Sequence, residues 1–197
     1  AADVVIAADG RNSAARRSIG ISCVDWAYDQ TAIATSFAHT QPHHEMSREY
    51  HRAAGPRTTV PMPGNRSSLV WMERPADADE LMNMRDDAFA RQLQLGTHGD
   101  LGAISDIGPR RAFPMRGLTA NRIADKRVVL VGEAAHVVPP IGAQGLNLSM
   151  RDAAMIAELI GDAAEWGDDI GSDKIMSAYD QRRRADIAPR QAAIHSM

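Results

Sequence analysis

The sequence predicts a mixed α/β fold in which two strand-loop-helix segments flank an antiparallel sheet. A continuous apolar run occurs at residues 4–8 and again at residues 127–132, as expected for buried parallel strands. Between these runs, short segments are separated by Gly, Pro and Asn, which is typical of antiparallel strands and their turns. We therefore expect the two flanking parts to return to one sheet, with the middle as a second lobe.

The elements of the first half follow from local patterns. The apolar run at residues 4–8 ends at Asp9-Gly10, and a brief helix or turn is expected at residues 14–20. Antiparallel strands are then predicted at residues 31–40, 46–52, 58–62 and 67–73, with a turn at Pro63-Gly64-Asn65. Residues 77–95 carry apolar side chains at helical spacing and acidic residues in the first turn, which predicts one surface helix packed on the sheet.

The second half returns to parallel-type elements. Residues 111–115 predict one more strand, in which Pro114 favours an edge or a bulge. A helix from Gln144 to about Ile160 follows the second apolar run, and an arginine-rich helix is expected at residues 173–194. The predicted buried face of the first of these helices consists of Leu146, Met150, Ala153, Ala157 and Ile160. The predicted domain bounds are 1–24, 25–117 and 118–197.

Composition narrows the class of protein. With 44% hydrophobic and 24% charged residues among 197, the chain is typical of a soluble globular protein. A net charge of -3, with no basic block beyond Arg182 to Arg184, argues against a nucleic-acid partner. The single cysteine, Cys23, favours a reducing compartment, and we expect a cytoplasmic protein. Peripheral contact with a membrane or a biosynthetic complex, and oligomerisation, stay open.

The strongest motif lies between the second apolar run and the helix that follows it. Gly132-Glu133-Ala134-Ala135-His136 is followed by Pro139-Pro140-Ile141-Gly142-Ala143-Gln144-Gly145-Leu146-Asn147. Glycines permit a tight turn and the close approach of a flat ligand, and Glu133 offers a carboxylate to a hydroxyl-rich chain. The helix N-terminus favours negative charge, such as that on a reduced flavin. The alternative is a glycine-rich loop that holds no ligand.

This stretch resembles the second flavin motif of the FAD-dependent aromatic monooxygenases of the para-hydroxybenzoate-hydroxylase type. Residues 8–21, beginning Ala8-Asp9-Gly10, are similar to the A-D-G-x-x-S-x-x-R fingerprint of the same family. Residues 69–71, 150–153 and 179–183 look most like the ubiquinone-biosynthesis hydroxylases within it. The resemblance implies FAD/NAD(P)-binding-type strands and helices around an antiparallel-sheet substrate domain.

The resemblance also implies roles for individual residues. Asp9 would support the FAD pyrophosphate and the pyridine-nucleotide path, with Arg16 at the matching basic position, and Glu133 would hold the ribityl chain where the family usually has aspartate. Pro140 matches a position beside the reacting edge of the substrate. No catalytic side chain is identified. The full set of predicted cofactor-binding residues is Asp9, Arg16, Gly132, Glu133, Pro139, Gly142, Ala143, Gln144, Gly145, Leu146 and Asn147.

The implied activity is hydroxylation of a phenolic ring, on a polyprenylated ubiquinone precursor, with FAD, NAD(P)H and O₂. The G-x-G-x-x-G motif with which the family opens does not occur in this sequence, so we expect a truncated chain that is inactive and binds flavin weakly or not at all. Two alternatives stay open: a non-catalytic ligand- or protein-binding module, and another flavin-dependent phenol hydroxylase.

Two weaker patterns favour structural roles. His39, His43, His44 and His51 are close in sequence, but their spacing matches no zinc site, so no metal is predicted. The run Arg182 to Arg184 is interpreted as a solvated helix face. His136 is interpreted as structural rather than as a base.

Overall fold

The computed structural model describes residues 2–140 and 144–195. Two compact units are present: unit 1 comprises Ala1–Trp26 and Arg116–Met197, and unit 2 comprises Ala27–Met115. The sequence-based bounds fell after residues 24 and 117. The assignment of unit 1 to the cofactor and of unit 2 to the substrate stays a prediction.

Unit 1 contains a three-stranded sheet. Its strand order is β1 (Val5–Ala7), β9 (Val128–Leu130) and β8 (Ala124–Asp125), and β1 runs parallel to β9 with Val5 opposite Val128. The predicted parallel pair is therefore confirmed. The prediction that both strands are buried is wrong for β1, in which Val5 and Ile6 are 44% and 51% exposed. Because β1 lies at the edge of this sheet, only Ala7 reaches the core.

Within the described part of unit 1 the α-helices are α1 (Ala14–Ser18), α4 (Gln144–Glu165) and α5 (Asp173–His195). The predicted buried face of α4 is wrong, because Leu146 and Met150 are 71% and 66% exposed and Ala153 and Ala157 are also exposed. The buried face consists of Leu148, Asp152, Ile156, Leu159 and Ala163. Two sides of α4 are apolar, so periodicity fits either, and the burial of Asp152 with its partners determines which side faces inward.

Unit 1 also holds a short antiparallel pair beside the loop after β9. Strand β10 (His136–Val137) pairs with the end of β7 (Arg111–Ala120), with His136 opposite Thr119. The predicted strand at residues 111–115 is thus real but continues for five more residues, from unit 2 into unit 1.

Unit 2 is an antiparallel sheet, as predicted. Strand β2 (Cys23–His39), which begins in unit 1, pairs with β5 (Arg66–Glu73); β5 pairs with β4 (Arg57–Met62), and β4 with β3 (Arg48–Tyr50). A short strand, β6 (Ile104–Ser105), pairs with β2. The predicted turn at residues 63–65 connects β4 to β5.

Two helices, α2 (Pro75–Asn83) and α3 (Asp86–Gly96), pack on this sheet where one helix was predicted. The chain is extended at Met84 and Arg85 between them. The guanidinium of Arg110 donates hydrogen bonds to the carbonyl oxygens of Leu81 and Met84, which satisfies the end of α2 and stabilises the break. The core of this unit includes Ile33, Phe37, Leu69 and Trp71 from the sheet and Leu81, Phe89 and Leu93 from the helices.

Trp71 is the largest fully buried side chain of unit 2. The Arg57 guanidinium lies 3.7 Å from the centre of its ring, and its Nε1 donates to Glu73 Oε1 at 2.9 Å. A Cβ atom added at Gly96 would overlap the Arg57 guanidinium, so the stacking of Arg57 on Trp71 leaves no room for a larger residue at the end of α3. Burial lowers the pKa of Arg57 to about 10.

Candidate functional site

The candidate site is built on the loop that follows β9. Gly132 to Ala134 form a 3-10 turn, which starts at a Gly132 φ of +62°. A Cβ atom at Gly132 would also lie 2.9 Å from Ser149 Oγ on α4. Glycine is therefore required here both by the left-handed backbone and by the close approach of the helix.

A pocket of about 410 Å³ opens beside this loop. Its volume lies within the usual range for small-molecule sites, roughly 300–1,000 Å³. Four of the predicted residues line it, namely Glu133, Pro140, Gly145 and Leu146, together with His136, Val137, Val138 and Ser149. Gly132 and Pro139 are buried, Gln144 is half-buried and Asn147 is exposed, and none of these four lines the pocket. Gly142 and Ala143 lie outside the described residues.

The pocket combines apolar walls with an available carboxylate. Glu133 is exposed, and its side chain makes no hydrogen bond or ion pair with residues 2–140 or 144–195. Gly145 presents no side chain, and a Cβ atom there would contact only Val138 Cγ2, at 3.8 Å. A flat apolar ligand bearing hydroxyl donors matches this lining.

One buried carboxylate, that of Asp152 on α4, fixes the loop. Its Oδ2 accepts hydrogen bonds from the Gly132 backbone N–H at 2.8 Å and from His136 Nε2 at 2.7 Å. Its Oδ1 accepts from Arg183 Nε on α5, also at 2.7 Å. Asp152 is 0% exposed, so this single group ties two helices and both ends of the turn together.

Arg183 supplies the cation that balances this carboxylate. It is 2% exposed and also donates to Asp186 Oδ2 at 2.7 Å. Burial would lower the pKa of Arg183, but the hydrogen bonds to Asp186 and Asp152 outweigh it and raise that pKa. The interpretation of Arg182 to Arg184 as a solvated face is therefore wrong for Arg183, because this side chain is buried and its charge is paired with Asp152 and Asp186.

The other predicted motif, at residues 9–16, is placed beside this loop but does not reach the pocket. The Asp9 carboxylate accepts hydrogen bonds from the backbone N–H groups of Ala14 and Ala15, at 2.8 and 3.1 Å, at the start of α1. The hydrogen bond with Ser13 lowers the pKa of Asp9. The buried Arg16 donates to the carbonyl oxygen of Ala134 at 2.7 Å, so it supports the turn from behind.

The four clustered histidines lie elsewhere, in unit 2. His39 is buried and bonds to Ser67 Oγ, while His43 bonds to the carbonyl oxygens of Met62 and Gly64. Within the described ranges, no group of three or more His, Cys, Asp or Glu is arranged to hold a metal ion. Nor does any helix in the same ranges have the length and apolar character needed to cross a membrane.

Comparison with known proteins identifies the family. The model of the FAD binding domain family matches residues 1–191. The chain belongs to the FAD-binding domain family. FAD is the cofactor of this family, and the predicted resemblance to FAD-dependent ubiquinone-biosynthesis hydroxylases is confirmed.

The relatives of this chain include ubiquinone hydroxylases. It is 38% identical to ubiquinone hydroxylase UbiL of Rhodospirillum rubrum, over 94% of this chain and 43% of that protein. It is 30% identical to 3-demethoxyubiquinol 3-hydroxylase of Escherichia coli, over 94% of this chain and 47% of that protein. PqsL of Pseudomonas aeruginosa, named a probable FAD-dependent monooxygenase, matches with a TM-score of 0.78 and 26% identity, over 98% of this chain and 54% of that one. The chain thus spans about half the length of the relatives it matches.

The residues of the pocket fit the flavin end of FAD. Apolar walls at Val137, Val138 and Leu146 suit a planar ring, and the exposed Glu133 carboxylate suits hydroxyl donors on a ribityl chain. Glutamate in place of the family's usual aspartate adds one methylene, and its exposed position leaves room for that extra length.

Sequence reasoning missed Asp152 and Arg183 as residues of this site and identified His136 only as structural. One signal was present for Asp152, since it follows Leu148 by four residues and precedes Ile156 by four on an otherwise apolar side of α4. An acidic residue at such a position is buried only with partners. The partner Arg183 lies 31 residues further along the chain, and no local pattern indicates that pairing.

Proposed function

We propose that this chain supplies the flavin-ring pocket and the substrate lobe of an FAD-dependent monooxygenase that hydroxylates a phenolic ring, using NAD(P)H and O₂. The observation that carries the proposal is the pocket between Glu133 and Ser149, with its apolar walls and its exposed carboxylate. The names of the relatives support a ubiquinone precursor as the substrate. A cytoplasmic location with peripheral membrane contact stays a prediction.

In this proposal the protein positions the bound cofactor and shields it from water, while the cofactor supplies the redox chemistry. Glu133 accepts hydrogen bonds from hydroxyl groups of the ligand, and Val137, Val138 and Leu146 exclude water from its planar part. Pro140, which lines the same pocket, stays the proposed contact for the substrate edge. Asp9 and Arg16 hold α1 and the turn in place, and a contact of Asp9 with the pyrophosphate stays a prediction.

One face of the unit 2 sheet is available for the proposed substrate. Ile33, Phe37, Leu69 and Trp71 pack against the helices, so the alternate residues point to the opposite face. Apart from Arg66, the residues of this face that are not buried are small or apolar, namely Ala34, Ser36, Ala38, Ser68, Val70, Thr58, Val60 and Met62. Ala32 and Met72, at one end of the same face, are buried. A phenolic ring with an apolar tail is compatible with such a surface.

Filling the pocket should abolish flavin binding. In a Gly145→Val variant, the added Cβ has room beside Val138, and the rest of the side chain enters the pocket. Riboflavin is the probe because it carries the planar ring and the ribityl chain. In keeping with the weak flavin binding expected of this chain, we expect measurable quenching only at high concentrations of the wild-type chain, and at least about tenfold weaker binding by the variant, about 1.4 kcal/mol.

Gly161→Val is the matched control. Gly161 lies on the same helix, is exposed, and has no atom within 4 Å of an added Cβ. Both variants make the same Gly→Val change on the same helix, so the pocket is the feature that distinguishes them. Equal riboflavin binding by the two variants would contradict the proposed pocket.

Catalysis is tested in a chimera in which residues 1–191 replace the matching segment of Rhodospirillum rubrum UbiL. We expect NAD(P)H oxidation that depends on a ubiquinone precursor, with a product heavier by one oxygen atom. A chimera that binds flavin but forms no hydroxylated product would favour a non-catalytic binding module.

A further inference from the structure

We propose that the exposed apolar face of α4 is a contact surface for a second copy of this chain, with the two α4 helices packed antiparallel about a two-fold axis. The inference goes beyond the proposed function and does not depend on it. Sequence periodicity predicted that this face is buried, and in the structure it is exposed. Contact with a second copy accounts for both.

The exposed face is apolar along the length of α4. Leu146 and Met150, near the start of the helix, are 71% and 66% exposed. The other exposed residues of this face are small, namely Ala153, Ala157, Gly161 and Ala164. All of them recur at intervals of three or four positions, so they form one stripe without a polar side chain, called the α4 stripe below. The solvent side of a surface helix is normally polar, so an apolar stripe of this kind indicates an interaction surface.

The sizes of the side chains along the α4 stripe suit an antiparallel pair. The midpoint between Leu146 and Ala164 is position 155, so a two-fold axis through it sets Leu146 of one copy level with Ala164 of the other. Met150 then lies within about 1.5 Å of the level of Gly161, because the helix rises about 1.5 Å per residue. Each large side chain therefore meets a small one.

The centre of the stripe follows the same symmetry. Ala153 and Ala157 are equally far from position 155, so each lies level with the other across the axis. Small side chains at the centre let two helices approach to about 8 Å, the close end of the usual range. A parallel pair would instead set Leu146 against Leu146, with small residues facing one another at the far end.

Charges beside the stripe complement one another in the same register. Arg151 and Glu158 are exposed and lie seven positions apart, which places them on the same flank of α4. In the antiparallel pair, Arg151 of one copy lies within about 1.5 Å of the level of Glu158 of the other, and the two-fold axis repeats this pair. Within residues 2–140 and 144–195, Glu158 forms no ion pair, and Arg151 lies 3.9 Å from Asp186.

A segment of a longer protein is the competing occupant, because the matched part is less than half of each hydroxylase named above. The symmetry of the α4 stripe favours a second copy. An unrelated segment would require neither large and small residues matched about one midpoint nor opposite charges in the same register.

Ala157→Glu tests the centre of the contact. In the single chain the new side chain reaches solvent, and glutamate is a good helix former, so we expect the fold to be kept. In the pair, each copy would bury a carboxylate, and sedimentation equilibrium should show dimerisation at least about a hundredfold weaker than in the wild type. The matched control is Ala188→Glu, at an exposed position of α5, which should dimerise like the wild type. Circular dichroism checks the fold of both variants.

The flanking charges test the register, and they do so even if Ala157→Glu does not fold. Arg151→Glu alone, or Glu158→Arg alone, places like charges opposite one another and should weaken dimerisation about three- to tenfold. The double variant restores opposite charges at the same two levels. Its affinity should return to within about twofold of the wild type.

A wild-type chain that stays monomeric up to about 1 mM would overturn the inference. A dimer that Ala157→Glu leaves intact, or a double charge variant as weak as the single ones, would do the same. In the UbiL chimera, a monomer in which Ala157→Cys resists a thiol reagent would assign the α4 stripe to a segment of the longer protein instead. A dimer weakened by Ala157→Glu and by each single charge change, but not by both charge changes together, supports it. Riboflavin binding is a separate measurement that decides only the proposed function.

Discussion

Replacing Asp152 with alanine is expected to lower the free energy of unfolding by about 3–5 kcal/mol, because it leaves the buried Arg183 without its carboxylate. The same change removes the acceptor for the Gly132 N–H and for His136 Nε2. Urea unfolding followed by circular dichroism measures the loss, and hydrogen exchange of amides in β9 and α4 localises it to unit 1. Riboflavin binding should be lost with it, since the turn at Gly132 is no longer fixed.

The matched control is Asp162→Ala, on an exposed position of the same helix, which should change stability by no more than about 0.5 kcal/mol. A double variant, Asp152→Leu with Arg183→Leu, should be more stable than Asp152→Ala, because no unpaired charge remains buried. A double variant that is less stable than either single change would mean that the ion pair itself, rather than the orphaned charge, carries the effect.

Replacing Trp71 with alanine should lower the free energy of unfolding by about 3–5 kcal/mol, the usual cost of emptying a large buried aromatic site. The cavity would lie between the sheet and α3, where the Trp71 and Phe89 ring centres are 5.5 Å apart. The buried Arg57 would also lose the ring on which it stacks. Hydrogen exchange of amides in β4 and β5 localises the expected loss to unit 2.

Trp166→Ala is the control of the same residue type, because Trp166 is 82% exposed. It should stay within about 0.5 kcal/mol of wild type. If Trp71→Ala were equally mild, the packing described for the core of unit 2 would be incorrect.

Sequence patterns predicted the fold where one physical signal dominates. The continuous apolar run before Gly132 determines a buried strand, and the Pro63-Gly64-Asn65 turn determines a hairpin. The single helix predicted at residues 77–95 failed because the side chain that stabilises its break, Arg110, comes later in the sequence. The α4 face failed because two sides are apolar, and only the partners of Asp152 decide between them.

The candidate site, like the fold, was predictable where its residues form one local sequence pattern. Glu133, Pro140, Gly145 and Leu146 lie in one contiguous motif, and all four line the pocket. The cofactor contact of Arg16 stays a prediction, and in the structure its guanidinium donates to the carbonyl oxygen of Ala134. A basic residue in a motif does not reveal whether its charge meets a ligand or a carbonyl group, because both are hydrogen-bond acceptors.

The carboxylate that fixes the turn at Gly132 has its charge balanced by a side chain 51 residues after that turn, on α5. During synthesis on the ribosome, the nascent chain will have completed both parallel strands and α4 before Arg183 emerges. Until then the acidic group has no cation beside it, and the turn has no stable geometry. A stop codon shortly before Arg183 should therefore yield a polypeptide that retains every residue lining the pocket but lacks the ion pair that fixes the pocket's geometry.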